Sequence, residues 1–376
     1  MPQSRYGRTR SGLGDWWRRG AVLIAVGAGV TVGRANGTPA GRYAASLALQ
    51  STYEHFMQDV LYTRTGHDRM WGPEHDLARA NIVATFESYG LVTILDPFPW
   101  PYGTGHNVVA ELPGTTRADE IYIVGAHYDS YAFNPPAPGA DDNASGVAAV
   151  LTIAGVLAPW PSEATIRFVA FDREEWGLYG SRAYAEAHVH ENLRAMINLD
   201  AISYHPSTGW PWAGVYGRPA SKPLKDSVAQ GVSYYGNLMI LDGGRRDNSD
   251  HYWFEQLGFQ AAWLREHHNN TLMHTPQDTI DTPNYVNYGY AVRFARGVTG
   301  WLVDHAGVTP DNPVGDLNCD YAVDHYDVDP FVLALANPAA YAARYPDCDP
   351  RTGDVNADGF VDFGDINPFI ELLSGP

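Results

Sequence analysis

The sequence predicts an α/β domain whose sheet is covered by helices on both faces, with a small helical module behind it. Three observations lead there. Six apolar runs of strand length, "LVTIL", "NVVAEL", "IYIVGA", "TIRFVAF", "AMINLDA" and "FQAAWL", recur between residues 91 and 264. They are near-continuous and rich in β-branched residues, as strands buried on both faces are, and helical stretches lie between or after them. Finally, a Pro/Gly linker, "AGVTPDNPVG" at 306–315, separates this pattern from an acidic repeat that ends the chain.

The elements follow in order. Residues 42–66 and 74–89 read as helices; in the second, Ala78, Ile82, Phe86 and Tyr89 share one face, and Gly90 provides the stop. "SGVAAVLTIAGVLA" and 284–305 read as further helices between and after the strand runs. The expected organisation is an export signal at 1–35, an α/β domain at 36–305, the linker at 306–315 and the terminal module at 316–376.

The chain has 376 residues, 45% hydrophobic and 18% charged, with a formal charge of −18, which argues against nucleic acid and anionic membranes as partners. The charge is uneven: residues 316–376 carry −10, and residues 1–34 carry +5. "MPQSRYGRTRSGLGDWWRRG" is a basic leader, and the apolar "AVLIAVGAGVTVG" after it is short for a stable membrane span. Cleavage near Ala35 is expected, with an uncleaved anchor as the alternative. No later segment is apolar enough to span, so the mature protein is expected to be secreted or extracytoplasmic. Both cysteines, Cys319 and Cys348, fall in the acidic tail, and in an exported protein that favours a disulfide.

Metal-type side chains stand at successive strand ends, where α/β sheets place their sites. "GAHYDS" offers His127 and Asp129, "APGADDNASG" offers Asp141 and Asp142, "AFDREEWGLYGS" offers Glu174 and Glu175, "NLDAIS" offers Asp200 and "MHTPQDT" offers His274. Two histidines and several carboxylates with no cysteine nearby suit zinc, manganese or cobalt. Two divalent ions about 3.5–4 Å apart need a shared anionic bridge and terminal ligands on each side. His127, Asp141, Glu175, Asp200 and His274 meet that count with Asp141 as the bridge. Glu174 is left over, and a carboxylate beside an activated water is a natural general base. "NSDHYWFEQLGF" places Ser249, Asp250 and His251 side by side. Adjacent side chains diverge on any regular element, so no serine triad can form, and helix capping by Ser249 or Asp250 is the expected local role.

The ordered set HxD, GADDNASG, EExGLxGS, NLD, SDHxxF and HTxxDT resembles the co-catalytic dizinc exopeptidases of the bacterial leucyl aminopeptidase type, over roughly 100–300. The resemblance implies a three-layer α/β/α sandwich with a central mixed sheet and two zinc ions. His127 and Asp200 would hold one ion, Glu175 and His274 the other, and Asp141 would bridge. It further implies Glu174 as general base, Asp129 as the acid orienting the His127 ring, and a cis peptide between Asp141 and Asp142. The implied reaction is hydrolysis of the N-terminal bond of peptides or proteins with a free amino terminus. Relatives supply the alternatives. A glutaminyl cyclase typically works with one zinc, and the full ligand set speaks against it. A carboxypeptidase would need cations for a C-terminal carboxylate, with Arg245 and Arg246 as candidates. Trp176, Tyr204 and Trp253 are candidate pocket aromatics.

"GDLNCDYAVDHYDVDPFVLAL" and "GDVNADGFVDFGDINPFIELL" align at an offset of 38 residues. Each opens D-x-N-x-D and adds acids at loop positions 9 and 12, the spacing of hard oxygen ligands in a calcium loop. The candidate calcium ligands are Asp316, Asn318, Asp320, Asp324 and Asp327, then Asp354, Asn356, Asp358, Asp362 and Asp365. The tail resembles a type I dockerin, which implies two calcium loop–helix units and attachment to a surface or protein partner. Two positions depart from that pattern. Tyr321 stands where the first loop's turn favours glycine, while the second loop has Gly359. His325-Tyr326 and Phe363-Gly364 occupy the positions that dockerins use for recognition. A protein whose main function is tail-mediated binding, with the enzyme domain as passenger, is the alternative from another class.

Overall fold

The computed structural model of the protein describes residues 37–62, 72–206 and 209–374. The expected export segment lies outside the described residues, as do residues 63–66 of the first expected helix. The elements are α1 (Pro39–Leu47), α2 (Gln50–His55), α3 (Pro73–Ser88), β1 (Val92–Trp100), β2 (Gly103–Leu112), β3 (Gly114–His127), α4 (Ser145–Leu157), β4 (Ser162–Phe171) and α5 (Tyr179–Ala187). After them come β5 (Asn192–Leu199), β6 (Trp212–Tyr216), α6 (Lys222–Gly236), β7 (Met239–Gly244), α7 (His251–Gln256), β8 (Ala261–Glu266) and α8 (Tyr288–Leu302).

Among the described residues the strands form one eight-stranded mixed sheet in the order β1-β2-β4-β3-β5-β8-β6-β7. The inner strands β4, β3, β5 and β8 run parallel, and β1, β2 and β6 supply the antiparallel pairings. Strand alternation sorts the side chains. Tyr122, Val124, Ala126, Ile197 and Leu264 enter the larger core with α3, α4, α6 and α8. Ile121, Ile123, Val169, Met196 and Ala261 face α5 and α7 through Tyr184 and Phe254. The sheet is thus the middle of three layers, as expected.

Two expectations need correction. The first helix does not run unbroken from 42. Thr38 caps it by accepting the Gly41 N–H at 2.9 Å, Pro39 follows the cap, and the chain turns extended at Leu49 before α2. Strands β6 and β7 were not among the expected runs: β6 has only five residues, and β7 is a largely exposed edge ending in two glycines.

The tail forms α9 (Val328–Ala336), α10 (Pro338–Arg344) and α11 (Ile366–Ser374) around a small core of Leu317, Phe331, Ala334, Tyr341 and Phe369. Cys319 and Cys348 are joined as a disulfide. The two loops repeat each other bond for bond. Asp327 Oδ1 accepts the N–H groups of Leu317 and Asn318, and Asp365 Oδ1 accepts those of Val355 and Asn356. Asp316 and Asp354 each accept two N–H groups from the turn that follows. Tyr321 takes the left-handed conformation, φ 65°, that Gly359 takes at φ 91°. Its ring stacks on Tyr43 of α1 at 5.8 Å and its hydroxyl donates to the Pro310 carbonyl, contacts that help offset the strain of that conformation. No helix among the described residues is long and apolar enough to cross a membrane.

Candidate metal centre

The C-terminal ends of the parallel strands converge on one cleft. His127 ends β3 and Asp200 follows β5, and by alternation both project on the side of α5 and α7. Glu174 and Glu175 follow β4 in a tight turn. Arg173 is left-handed there (φ 62°), Gly177 and Leu178 donate to the Glu174 carbonyl at 2.9 Å, and Gly177 itself has φ 117°. That conformation is the reason the EExG motif needs its glycine. Asp142 sits in an irregular turn, Ala140–Ala144, ahead of α4. Gly146 lets this segment close on β5, since a Cβ there would lie 2.2 Å from the Leu199 carbonyl oxygen. His274 arrives on the loop after β8.

One carboxylate spans the site. Asp142 Oδ1 lies 3.2 Å from His127 Nε2, and Asp142 Oδ2 lies 3.1 Å from His274 Nε2. Glu175 Oε2 is 3.2 Å from His274 Nε2, Asp200 Oδ1 is 3.7 Å from His127 Nε2, and Glu174 Oε2 is 4.0 Å from it. Three groupings of metal-type residues occur among the described residues: His127–Asp142–Asp200, His127–Glu174–Glu175 and Asp142–Glu175–His274. The first and third share Asp142, which is the arrangement of two cation positions with a common bridge.

Asp142, not the Asp141 expected to bridge, is the carboxylate that lies between the two histidines. Asp141 Oδ1 accepts from Ser203 N, Ser203 Oγ and Tyr204 N at 2.7, 2.7 and 3.1 Å, and its Oδ2 accepts from Asn270 Nδ2 at 2.7 Å. Those four bonds hold its carboxylate away from the cluster. The cis peptide likewise lies one residue on, between Asp142 and Asn143. Asp129 serves the glutamate turn as well as facing His127. Its carboxylate accepts the Glu174 and Glu175 N–H groups at 3.1 and 3.3 Å, while His127 Nδ1 faces its main-chain oxygen at 3.1 Å and its carboxylate at 3.6 Å.

Ser249 and Asp250 do not cap α7 with their side chains. Ser249 Oγ receives a hydrogen bond from Asn198 and donates to Asp200 Oδ2, which turns the other oxygen of Asp200 toward His127. His251 points to the Arg246 carbonyl, 2.8 Å away, so the three residues form no triad. Arg245 is paired with Asp247, and Arg246 lies over the Tyr216 ring, so both are engaged elsewhere. Asp278, in the HTPQDT segment, accepts the N–H groups of both Asp141 and Asp142 at 2.7 and 3.2 Å. Sequence reasoning passed over it, although the motif contained it.

The electrostatics of the cluster suit a cation. Burial drives the Glu174 carboxyl well above its usual range, with Glu175, Asp200 and Asp250 adding to the rise against His127. Burial and Asp142 push Glu175 up to about 7. His274 is raised to about 11 by its contacts with Asp142 and Glu175. His127 Nε2 and Glu175 Oε1 are buried without an aligned hydrogen-bond partner, a costly state that a coordinated cation relieves. The donor set of nitrogen and carboxylate oxygen fits zinc.

These features agree with comparison to known proteins. Residues 107–298, just over half of the chain, match the model of peptidase family M28, and the chain belongs to that family. It is 46% identical over 102 residues to a probable zinc metalloprotease of Pyrenophora teres f. teres, covering 25% of this chain and 22% of that one. It is 30% identical over 198 residues to aminopeptidase YwaD of Bacillus subtilis, covering 47% and 40% respectively. The chain therefore spans less than half the length of these curated relatives. The fold matches an aminopeptidase from Aneurinibacillus sp. strain AM-1, with TM-score 0.60, 18% identity, and coverage of 72% of this chain and 97% of that one. It equally matches a glutaminyl cyclase of Macrostomum lignano, with TM-score 0.60, 18% identity, and coverage of 77% and 97%.

Proposed function

We propose that the protein is an exported, zinc-dependent aminopeptidase that hydrolyses the N-terminal bond of peptides. The observation that carries this reading is the Asp142 carboxylate set between His127 and His274, with Glu174 alongside. His127 and Asp200 would hold one zinc, Glu175 and His274 the other, with Asp142 shared. Zinc bound there would supply a Lewis acid for the scissile carbonyl and acidify a water from about 15.7 towards 7. Glu174 takes the proton from the attacking water and returns it to the leaving amine. Asp129 fixes the backbone under Glu174 and Glu175, so that one side chain binds while the other moves protons.

Aminoacyl-anilides, N-blocked peptides and C-blocked peptides, each assayed with and without chelator, test the reading. The expected result is cleavage only where the amino terminus is free, abolished by chelation and restored by zinc. Cleavage of N-blocked peptides would make the protein a carboxypeptidase, and cyclisation of N-terminal glutamine without hydrolysis would make it a glutaminyl cyclase.

The basic leader with its short apolar run supports export. For the tail, residues 316–376, we propose a dockerin-like module that binds calcium in two loops and attaches the enzyme to a surface or a protein partner. The duplicated loop hydrogen bonds and the left-handed residues at Tyr321 and Gly359 support it. Calcium at 100 times its dissociation constant should add about 2.7 kcal/mol per occupied loop to the tail's stability. Hydrogen exchange over residues 311–374 should slow accordingly; unchanged protection on adding calcium would remove the calcium assignment.

A further inference from the structure

A cation stands in the wall of this cleft where a metal site has no use for one. Arg265 belongs to β8, beside the Asp200 end of β5: Asp200 N donates to the Leu264 carbonyl at 3.2 Å and Glu266 N to the Ala201 carbonyl at 2.9 Å. The pleat that aims Asp200 at the metals therefore aims Arg265 into the same cleft, where it joins Leu178, Asn248 and Met273 as lining. Its guanidinium lies 5.3 Å from the centre of the Trp263 ring. Its Nη2 donates to the Met273 sulfur at 2.8 Å, a weak acceptor for a group with five N–H donors.

Several other arginines around the sheet are spent on carboxylates: Arg117 on Glu120, Arg167 on Glu191, Arg218 on Asp247. Among the described residues Arg265 makes no such pair, although acids crowd the cleft. Asp141, Asp142, Asp200 and Glu266 act on its charge from a distance, but none comes within ion-pair range. Asp141 spends its hydrogen bonds on Ser203, Tyr204 and Asn270. Cations held by Asp142, Glu175 and Asp200 would cancel the charge of those carboxylates. Arg265 then remains as a positive group without a direct ion pair on the substrate side, in the cleft wall with the apolar Met273 and Leu178.

We propose that Arg265 receives the side-chain carboxylate of an N-terminal glutamate, whose methylenes lie against Met273 and Leu178, so that the enzyme prefers acidic amino-terminal residues. The inference rests on the aminopeptidase reading above. A fork of parallel N–H donors suits a carboxylate, and its isosteric amide cannot satisfy that fork.

The test uses the zinc-loaded full chain with glutamyl- and glutaminyl-anilides, which differ in charge and not in shape. The wild type should favour glutamyl by about 10- to 100-fold in kcat/KM, mostly through KM, the range expected for a charge-assisted pair. Arg265→Met should bring the ratio close to one, and Arg265→Lys should keep part of it. Calorimetric binding of free L-glutamate and L-glutamine to the same proteins should show the same order, and salt should narrow the difference. A wild type that cleaves the glutaminyl substrate as well as the glutamyl one, or an Arg265→Met variant that keeps the wild-type ratio, overturns the proposal. Should no substrate with a free amino terminus be cleaved, the aminopeptidase reading fails. The binding ratio still decides for Arg265: selection of glutamate lost in Arg265→Met upholds it, and equal binding of the two amino acids ends it.

Discussion

Asp142→Ala should lose zinc and activity together, while Asp141→Ala should keep its zinc and lose stability. Among the described residues Asp142 is the one carboxylate within ion-pair distance of both histidines, 3.2 Å from His127 and 3.1 Å from His274, and its removal would take a ligand from both proposed positions at once. Outer partners of metal ligands typically cost 10- to 100-fold in affinity, so loss of a shared ligand should cost more than about 100-fold. Asp141 instead holds four donors, from Ser203, Tyr204 and Asn270. Leaving buried donors unpaired costs about 1–3 kcal/mol each, read as a fall in the denaturation midpoint. Metal analysis and urea melts on the two variants separate the cases. The reverse pattern, zinc lost with Asp141→Ala and kept with Asp142→Ala, would return the bridge to Asp141.

Glu174→Gln should lower kcat by about 10²- to 10⁴-fold with zinc content and KM near wild type, the range for loss of a positioned acid–base group. The amide keeps the shape of the side chain but cannot carry the proton. Glu174 lies 4.0 Å from His127 Nε2, at the edge of the cluster, whereas Glu175 is 3.2 Å from His274. The same change at Glu175 should therefore lower zinc content. Equal loss of metal in both variants would show that the two glutamates share one role.

The layers of the sheet and most of the cluster were legible because both follow from periodicity and strand ends. Continuous apolar runs identified β1 to β5 and β8, and His127, Glu175, Asp200 and His274 came with the motifs at their ends. The choice between Asp141 and Asp142 was not legible. Two adjacent aspartates ahead of a helix satisfy any spacing rule equally, and what divides them is the set of donors at Ser203, Tyr204 and Asn270, which lie 62, 63 and 129 residues further along the chain. Ser249 was read as a cap because local sequence shows local partners, whereas its actual partner, Asp200, is 49 residues away. Arg265 stands one residue beyond the expected run "FQAAWL", where an arginine reads as surface charge until the register with β5 places it beside Asp200.

The loop that brings His274 also brings Asp278, whose carboxylate grips the main chain at Asp141 and Asp142. One short segment thus carries a side chain that would hold the second proposed ion and grips the main chain of the carboxylate that both ions would share. Any movement that lifts this segment loosens the two positions in concert, so filling and emptying should be close to all-or-none and singly loaded molecules should be scarce. A substrate or partner that presses on residues 267–287 would then act on the complete pair of ions through a single hinge.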